Sequence, residues 1–108
     1  MRFVTFDEIN DMMREIGLPY AYHHFAEGES PNPPFSIFLS PSEHTFSADN
    51  VMYHSFKRLD IELYTDKKNP ELERQVEEAL RVYRIFYTKT ETWIESEKLY
   101  EILYEMEV

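Results

Sequence analysis

The stretch RLDIELYTDKKNPELERQVEEAL, residues 58–80, decides the fold because its hydrophobic period changes partway along it. Up to Thr65, apolar and polar residues alternate, which is typical of a strand with one face on a core and the other in water. From Leu72 onward the apolar residues recur at helical spacing, and Asn69 followed by Pro70 is typical of a helix start. The sequence therefore predicts a strand, a tight turn and an amphipathic helix that packs back onto the sheet.

The predicted strand extends from Val51 to Thr65, and its polar face carries two carboxylates, Asp60 and Glu62. Paired carboxylates can perform acid–base or metal chemistry. Because Arg58 shares that face and no third ligand is evident, the pattern favours a solvated or cross-strand-paired face over a catalytic pair. Earlier in the strand the same face is largely apolar, so we expect it to contact a loop of the chain or a neighbouring subunit. The residues of this expected contact are Met52, His54 and Phe56.

The rest of the chain predicts one more helix and four more strands. The capping-box sequence TFDE and Gly17 delimit a helix over residues 6–16. Stretches rich in Pro, Ser, Gly and Asn, residues 26–34 and 41–50, predict loops. The further strands are predicted at residues 20–25, 35–40, 85–89 and 99–108. The order α-β-β-β-α-β-β predicts a single α+β domain over residues 1–108, a mainly antiparallel sheet with two helices packed on it.

The composition limits the kinds of functional site that the chain can form, since its 108 residues include no cysteine and only two glycines and carry a net charge of −10. The lack of cysteine excludes disulfides, thiolate nucleophiles and cysteine-bound zinc or iron–sulfur sites. Two glycines cannot build a Gly-rich phosphate-binding loop, and no histidines have metalloprotease spacing. A strong negative charge argues against direct nucleic-acid binding through a basic surface. We therefore expect no catalytic, cofactor or metal site, and the absence of a run of about 20 apolar residues predicts no membrane span.

Acidic charge is concentrated in one part of the chain, because residues 16–56 contain no Lys or Arg. This part can consist of solvated polar loops, or it can form a surface that repels an anion or meets a basic partner. The acidic residues concerned are Glu27, Glu29, Glu43 and Asp49.

Two segments, residues 48–80 and 89–108, resemble small structural proteins of tailed phages and prophages. The group is the tail-completion, tail-terminator and head–tail-joining proteins of long-tailed phages of Gram-positive bacteria. The likeness lies in ELYTDKKNPELE, residues 62–73, and in ESEKLY, residues 95–100, at the entry to the last strand. It implies a non-enzymatic subunit that forms a ring, typically a hexamer, ends the tail tube and docks it to the connector.

The resemblance also implies partners and a location. The partners are other copies of the chain and other tail or connector proteins, and the location is the host cytoplasm during assembly and then the virion. In such a ring the acidic loops would face the channel and let DNA pass without sticking, because like charges repel. Two alternatives remain open: a small acidic inhibitor that mimics DNA and binds a basic host protein, and a hydrolase with carboxylates clustered in a cleft.

Overall fold

The computed structural model describes residues 4–48 and 51–108, with the side chains of all of these except residues 46–48 and 51–56. Within these residues the chain forms two helices, α1 (Phe6–Ile16) and α2 (Pro70–Val82), and six strands. The strands are β1 (Tyr20–Tyr22), β2 (Phe35–Leu39), β3 (Glu43–Ala48), β4 (Val51–Thr65), β5 (Tyr87–Ile94) and β6 (Leu99–Glu107). The predicted α+β class is confirmed, with one strand more than the sequence predicted.

The sheet has the strand order β1-β2-β4-β6-β5, so β1 and β5 form its two edges. Only the β1–β2 pair is parallel among the strand pairs of the described residues. The second half of β4 is central, since Arg58–Thr65 pairs with β6 on one side and part of it pairs with β2 on the other. The strand that was predicted from residues 51–65 is confirmed with those bounds.

The first half of β4 pairs with β3 as a hairpin, from Glu43 opposite Lys57 to Ala48 opposite Val51. Within the described residues, β6 follows β4 no further than the backbone bonds between Val108 and Lys57. The hairpin therefore continues beyond the sheet as a two-stranded arm, residues 43–48 and 51–57. A strand of 15 residues spans about 50 Å, and the molecule measures 51 Å along its longest axis but 29 Å along the next.

The prediction of a loop over residues 41–50 was wrong, because β3 occupies most of it. Its Ser, Pro and Asp content is typical of turns. The hydrogen-bond ladder that β4 offers overrides this local preference, as tertiary pairing often does in strands. Asp49 and Asn50 lie outside the described residues.

Both helices pack on one face of the sheet and enclose the core with it. On the helices, the buried apolar residues include Ile9, Met12, Met13, Ile16, Val76 and Leu80; on the strands they include Leu59, Ile61, Leu63, Ile102, Tyr104 and Met106. The strand residues alternate along β4 and β6, as the sequence predicted. Neither helix of the described residues has the length and apolar composition needed to cross a bilayer.

The helix starts follow the predicted capping chemistry. Thr5 Oγ1 accepts a hydrogen bond from the Glu8 backbone N–H at 3.2 Å, and Asn69 Oδ1 accepts one from the Leu72 backbone N–H at 3.1 Å. Strand ends were predicted less well. The strand predicted over residues 20–25 stops at Tyr22, because His23 has a left-handed φ of 67° that ends extended structure. The strand predicted at residues 85–89 runs instead as β5, from Tyr87 to Ile94.

Candidate functional site

The outer face of the sheet, opposite the helices, holds the predicted carboxylate pair. Asp60 is only 8% exposed, so this part of the face is not solvated, and the cross-strand pairing that the sequence left open is made by Arg58 rather than by Asp60 itself. Arg58 Nε lies 3.0 Å from Asp60 Oδ1, and the other end of the same guanidinium pairs with Glu105 on β6. Ile37 of β2 helps to shield this face from solvent. It is 5% exposed and lies opposite Glu62 in the strand register.

Further along the same face, two carboxylates converge on a single hydroxyl. Tyr64 Oη lies 2.7 Å from Glu62 Oε2 and 2.9 Å from Glu101 Oε2. A tyrosine hydroxyl has one proton to donate, so it can serve one carboxylate at a time. Burial raises the pKa of Glu62 despite the Tyr64 hydrogen bond, and the charges of Glu101 and Asp60 add to the rise. Glu62 therefore keeps its proton to a higher pH than an exposed glutamate does.

The described residues of this face do not form a group of metal ligands. Nowhere in the described part of the chain do three or more His, Cys, Asp or Glu side chains come together in a group that could hold a metal ion. His23 and His24 are exposed, and their Nδ1 atoms lie 3.0 Å apart.

A second charged cluster lies between α2 and β5. Glu73 lies in the first turn of α2, and its side chain is 5% exposed and paired with two lysines. Glu73 Oε2 lies 2.7 Å from Lys68 Nζ, and Oε1 lies 2.8 Å from Lys89 Nζ. Burial would raise the pKa of Glu73, but the hydrogen bonds and charges of Lys68 and Lys89 outweigh it and lower that pKa. Lys89 is in phase with the part-exposed aromatic residues Tyr87 and Trp93 along β5, on the side of the sheet that carries the helices, and this is the signal that the sequence analysis missed.

The same cluster includes a buried tyrosine hydroxyl. Tyr104 donates a hydrogen bond to Glu77 Oε2 at 2.8 Å, and Lys89 Nζ lies 2.7 Å from the same oxygen. Burial, together with Glu77, raises the pKa of Tyr104 far above its usual range. These bonds join the helix to the edge of the sheet, which is a structural role.

The contact predicted from the sequence falls on the arm. Met52, His54 and Phe56 belong to the half of β4 that pairs with β3, and their side chains lie outside the described residues. The structure therefore shows the backbone that carries the predicted contact but leaves the contact itself a prediction.

The predicted acidic residues are divided between two places. Glu27 and Glu29 are exposed in the connection from β1 to β2, as expected of a polar loop. Glu43 is exposed too, but it opens β3 rather than lying in a loop. Asp49 is outside the described residues.

The sequence analysis missed an exposed aromatic side chain between α2 and β5. Phe86 is 94% exposed, although Ile85 beside it is 8% exposed and belongs to the core. Grooves of about 1150 Å³ on the α2 side and about 680 Å³ on the outer-face side are both lined by Arg84, Ile85, Phe86 and Tyr87. The sequence signal for this exposure was the run of three successive apolar residues, 85–87. Neighbouring side chains in an extended chain point to opposite sides, so Phe86 points outward when Ile85 is buried. We call Phe86 and these two grooves the Phe86 surface.

No protein-family model matches this chain, and no curated protein matches it at a significant level of sequence similarity.

Proposed function

We propose that this chain is a non-enzymatic structural subunit of a phage or prophage, which forms a ring at the head–tail junction or tail end. The ring stops the growth of the tail tube and docks it to the connector. The observation that carries this proposal is the arm, because a two-stranded hairpin beyond its sheet is marginally stable alone and gains most from a partner. Among the described strands β3 pairs with β4 alone, so its other edge presents backbone groups that are a template for another chain.

Three other observations support the proposal. Residues 48–80 and 89–108, which carry the resemblance to tail proteins, include the whole of β4 and β6 and all of α2 except its last two residues. The sheet has two different edges, a three-residue β1 and an eight-residue β5, and unlike surfaces that meet head-to-tail close into rings. A net charge of −10 suits a channel through which DNA must pass.

The alternative of a DNA-mimicking inhibitor requires acidic groups in an uninterrupted array on one face. Exposed cations interrupt the acidic surface here, including Arg74, Arg81 and Arg84 on and after α2. A monomer that captures a basic protein but ignores tail tubes would favour the inhibitor.

The proposal is tested by mixing the purified chain with the tail-tube protein of a long-tailed phage of a Gram-positive host. We expect a ring at tube ends in electron micrographs and tubes that stop lengthening. Light scattering of the chain alone, over a range of concentrations, measures whether the ring forms before it meets the tube. Tubes that keep growing with bare ends at saturating chain concentration would contradict the proposal.

A further inference from the structure

We infer that the Phe86 surface is one half of a head-to-tail contact between copies of this chain, and that the β1 edge of a second copy is the other half. The inference rests on the proposed function, since it names the contact through which the subunits of that ring meet.

Phe86 is an exposed apolar anchor on this surface. A phenylalanine that is 94% exposed leaves nearly all of its apolar area in water. Tyr87 beside it is 37% exposed, and Val82 at the end of α2 is 61% exposed. Clustered apolar residues with a polar rim mark interaction sites, and large aromatic side chains are the usual anchors of such sites.

Positive charge surrounds Phe86 on the α2 side. Arg74, Arg81 and Arg84 border the α2-side groove, together with Glu77 and Glu78. Both acids are already engaged, Glu77 with Lys89 and Glu78 with Arg81. Arg74 and Arg84 form no ion pair with any residue of the described ranges 4–48 and 51–108. The α2-side groove of the Phe86 surface therefore offers free positive charge on a chain with a net charge of −10, and favours an acidic occupant.

The opposite edge of the sheet, at β1, has a complementary character. Phe6 is 54% exposed and Tyr22 is 45% exposed, with their ring centroids 5.9 Å apart. Both rings also lie against buried Phe38, at 5.8 and 5.2 Å, which holds them in place. Lys57 of β4 lines the same small pocket as the two rings, but the chain that forms this edge, residues 17–42, has no Lys or Arg and carries Glu27 and Glu29. The β1 edge thus combines exposed aromatic area with acid, the counterpart of the Phe86 surface.

The placement of the two surfaces suits a chain of copies. They lie on opposite edges of one sheet, four strand spacings or about 20 Å apart. Since the surfaces are different, one copy can bind a neighbour on each side, and such contacts give a ring when the rotation closes. An isologous contact of Phe86 with Phe86 would bring the arginines of two copies together, which repulsion disfavours.

A mixing experiment with two variants tests the inference. Phe86→Ser removes the anchor of one surface, and the double variant Phe6→Ser with Tyr22→Ser removes the aromatic pair of the other. We expect each variant to be monomeric by light scattering, while their mixture forms a 1:1 dimer, because each retains the half that the other lacks. Trp93→Ser is the matched control: it removes a 42% exposed aromatic side chain from the far end of β5 and should leave the mass of the wild-type assembly unchanged.

A second measurement covers the case that the double variant does not fold, which circular dichroism would reveal. A photoreactive benzoylphenylalanine at position 86 should cross-link to peptides from α1 and residues 17–29 of another copy. Cross-links between two copies of residues 81–88, or a wild-type chain that stays monomeric up to about 1 mM, would overturn the inference.

The outcomes separate this inference from the proposed function. If the chain caps tail tubes and Phe86→Ser has no effect on its mass, the inference fails and the proposed function stands. If the copies associate through Phe86 but never bind a tube, the inference stands and the proposed function fails.

Discussion

Glu73 and Lys89 form an ion pair of 2.8 Å that connects the first turn of α2 to the middle of β5. At this position between α2 and β5, the sequence alone predicts only apolar core residues and a solvated helix end. Since the Glu73 side chain is 5% exposed, this pair has more bearing on stability than the exposed pairs elsewhere on the chain.

Replacing Glu73 by Gln should lower the free energy of unfolding by about 2 kcal/mol, because two lysines then lose their buried counter-charge. The measurement is urea denaturation at neutral pH. Glu78→Gln is the matched control on the same helix: its partner Arg81 and Glu78 itself are well exposed, so no measurable change is expected. Equal effects of the two substitutions would contradict the structural role of the Glu73 pair.

The pH dependence of stability should contain a contribution of unusual sign from Glu62. Its pKa is raised above the usual 4.5 in the folded chain. The folded state then holds the proton more tightly, so the contribution is fully present below pH 4.5 and is lost as the pH rises through the raised pKa. Glu62→Gln should remove this loss and raise the free energy of unfolding at pH 7 relative to pH 4. Unfolding curves across that range measure it, with the exposed Glu97→Gln as a control for net charge.

Ser36 offers a test of an unsatisfied polar group. It is 1% exposed, and its hydroxyl makes no hydrogen bond to the described residues. Ser36→Ala should therefore increase the free energy of unfolding by about 1 kcal/mol. Ser40→Ala should change it in the opposite direction, because Ser40 Oγ donates a 2.7 Å bond to the Arg58 carbonyl. A loss of stability in both variants would show that the Ser36 hydroxyl has a partner.

The acidic residues should matter for DNA passage and not for folding. Replacing Glu27, Glu29, Glu43 and Asp49 by Gln should leave assembly intact and impair the passage of DNA, because the channel loses its repulsion. Infectivity of phage complemented with the variant, set against ring formation by electron microscopy, measures the two separately. Undiminished infectivity would count against an acidic channel.

Local patterns predicted the parts of the fold that short-range chemistry determines. The cap at Asn69, the alternation along β4 and the spacing from Leu72 to Tyr83 each depend on residues close in sequence. The missed strand β3 depends on its pairing partner. The composition of residues 43–48 is typical of a loop, and they form a strand because β4 provides backbone hydrogen bonds along their length.

The same difference separates what could be predicted of the candidate sites. Asp60 and Glu73 look solvated when only their own segments are considered. Their burial depends on the strands β2, β5 and β6. These strands are distant in sequence, so the hydrophobic periodicity of a residue's own segment does not predict that they pack nearby. Phe86 was placed on a strand but not on a surface, because its exposure follows from the tertiary position of Ile85. The contact predicted for Met52, His54 and Phe56 stays a prediction, because the side chains of these residues lie outside the described part of the chain.

The uninterrupted length of β4 has a mechanical consequence. A single strand runs from the arm into the centre of the sheet, with no turn or glycine at the crossing near Lys57. A pull on the arm along its axis loads the eight residue pairs between β4 and β6 together, in shear, instead of opening them one after another. A partner bound to the arm is thus connected through one strand to the most extensively hydrogen-bonded part of the molecule. Tension applied to the arm reaches the core without passing through a hinge.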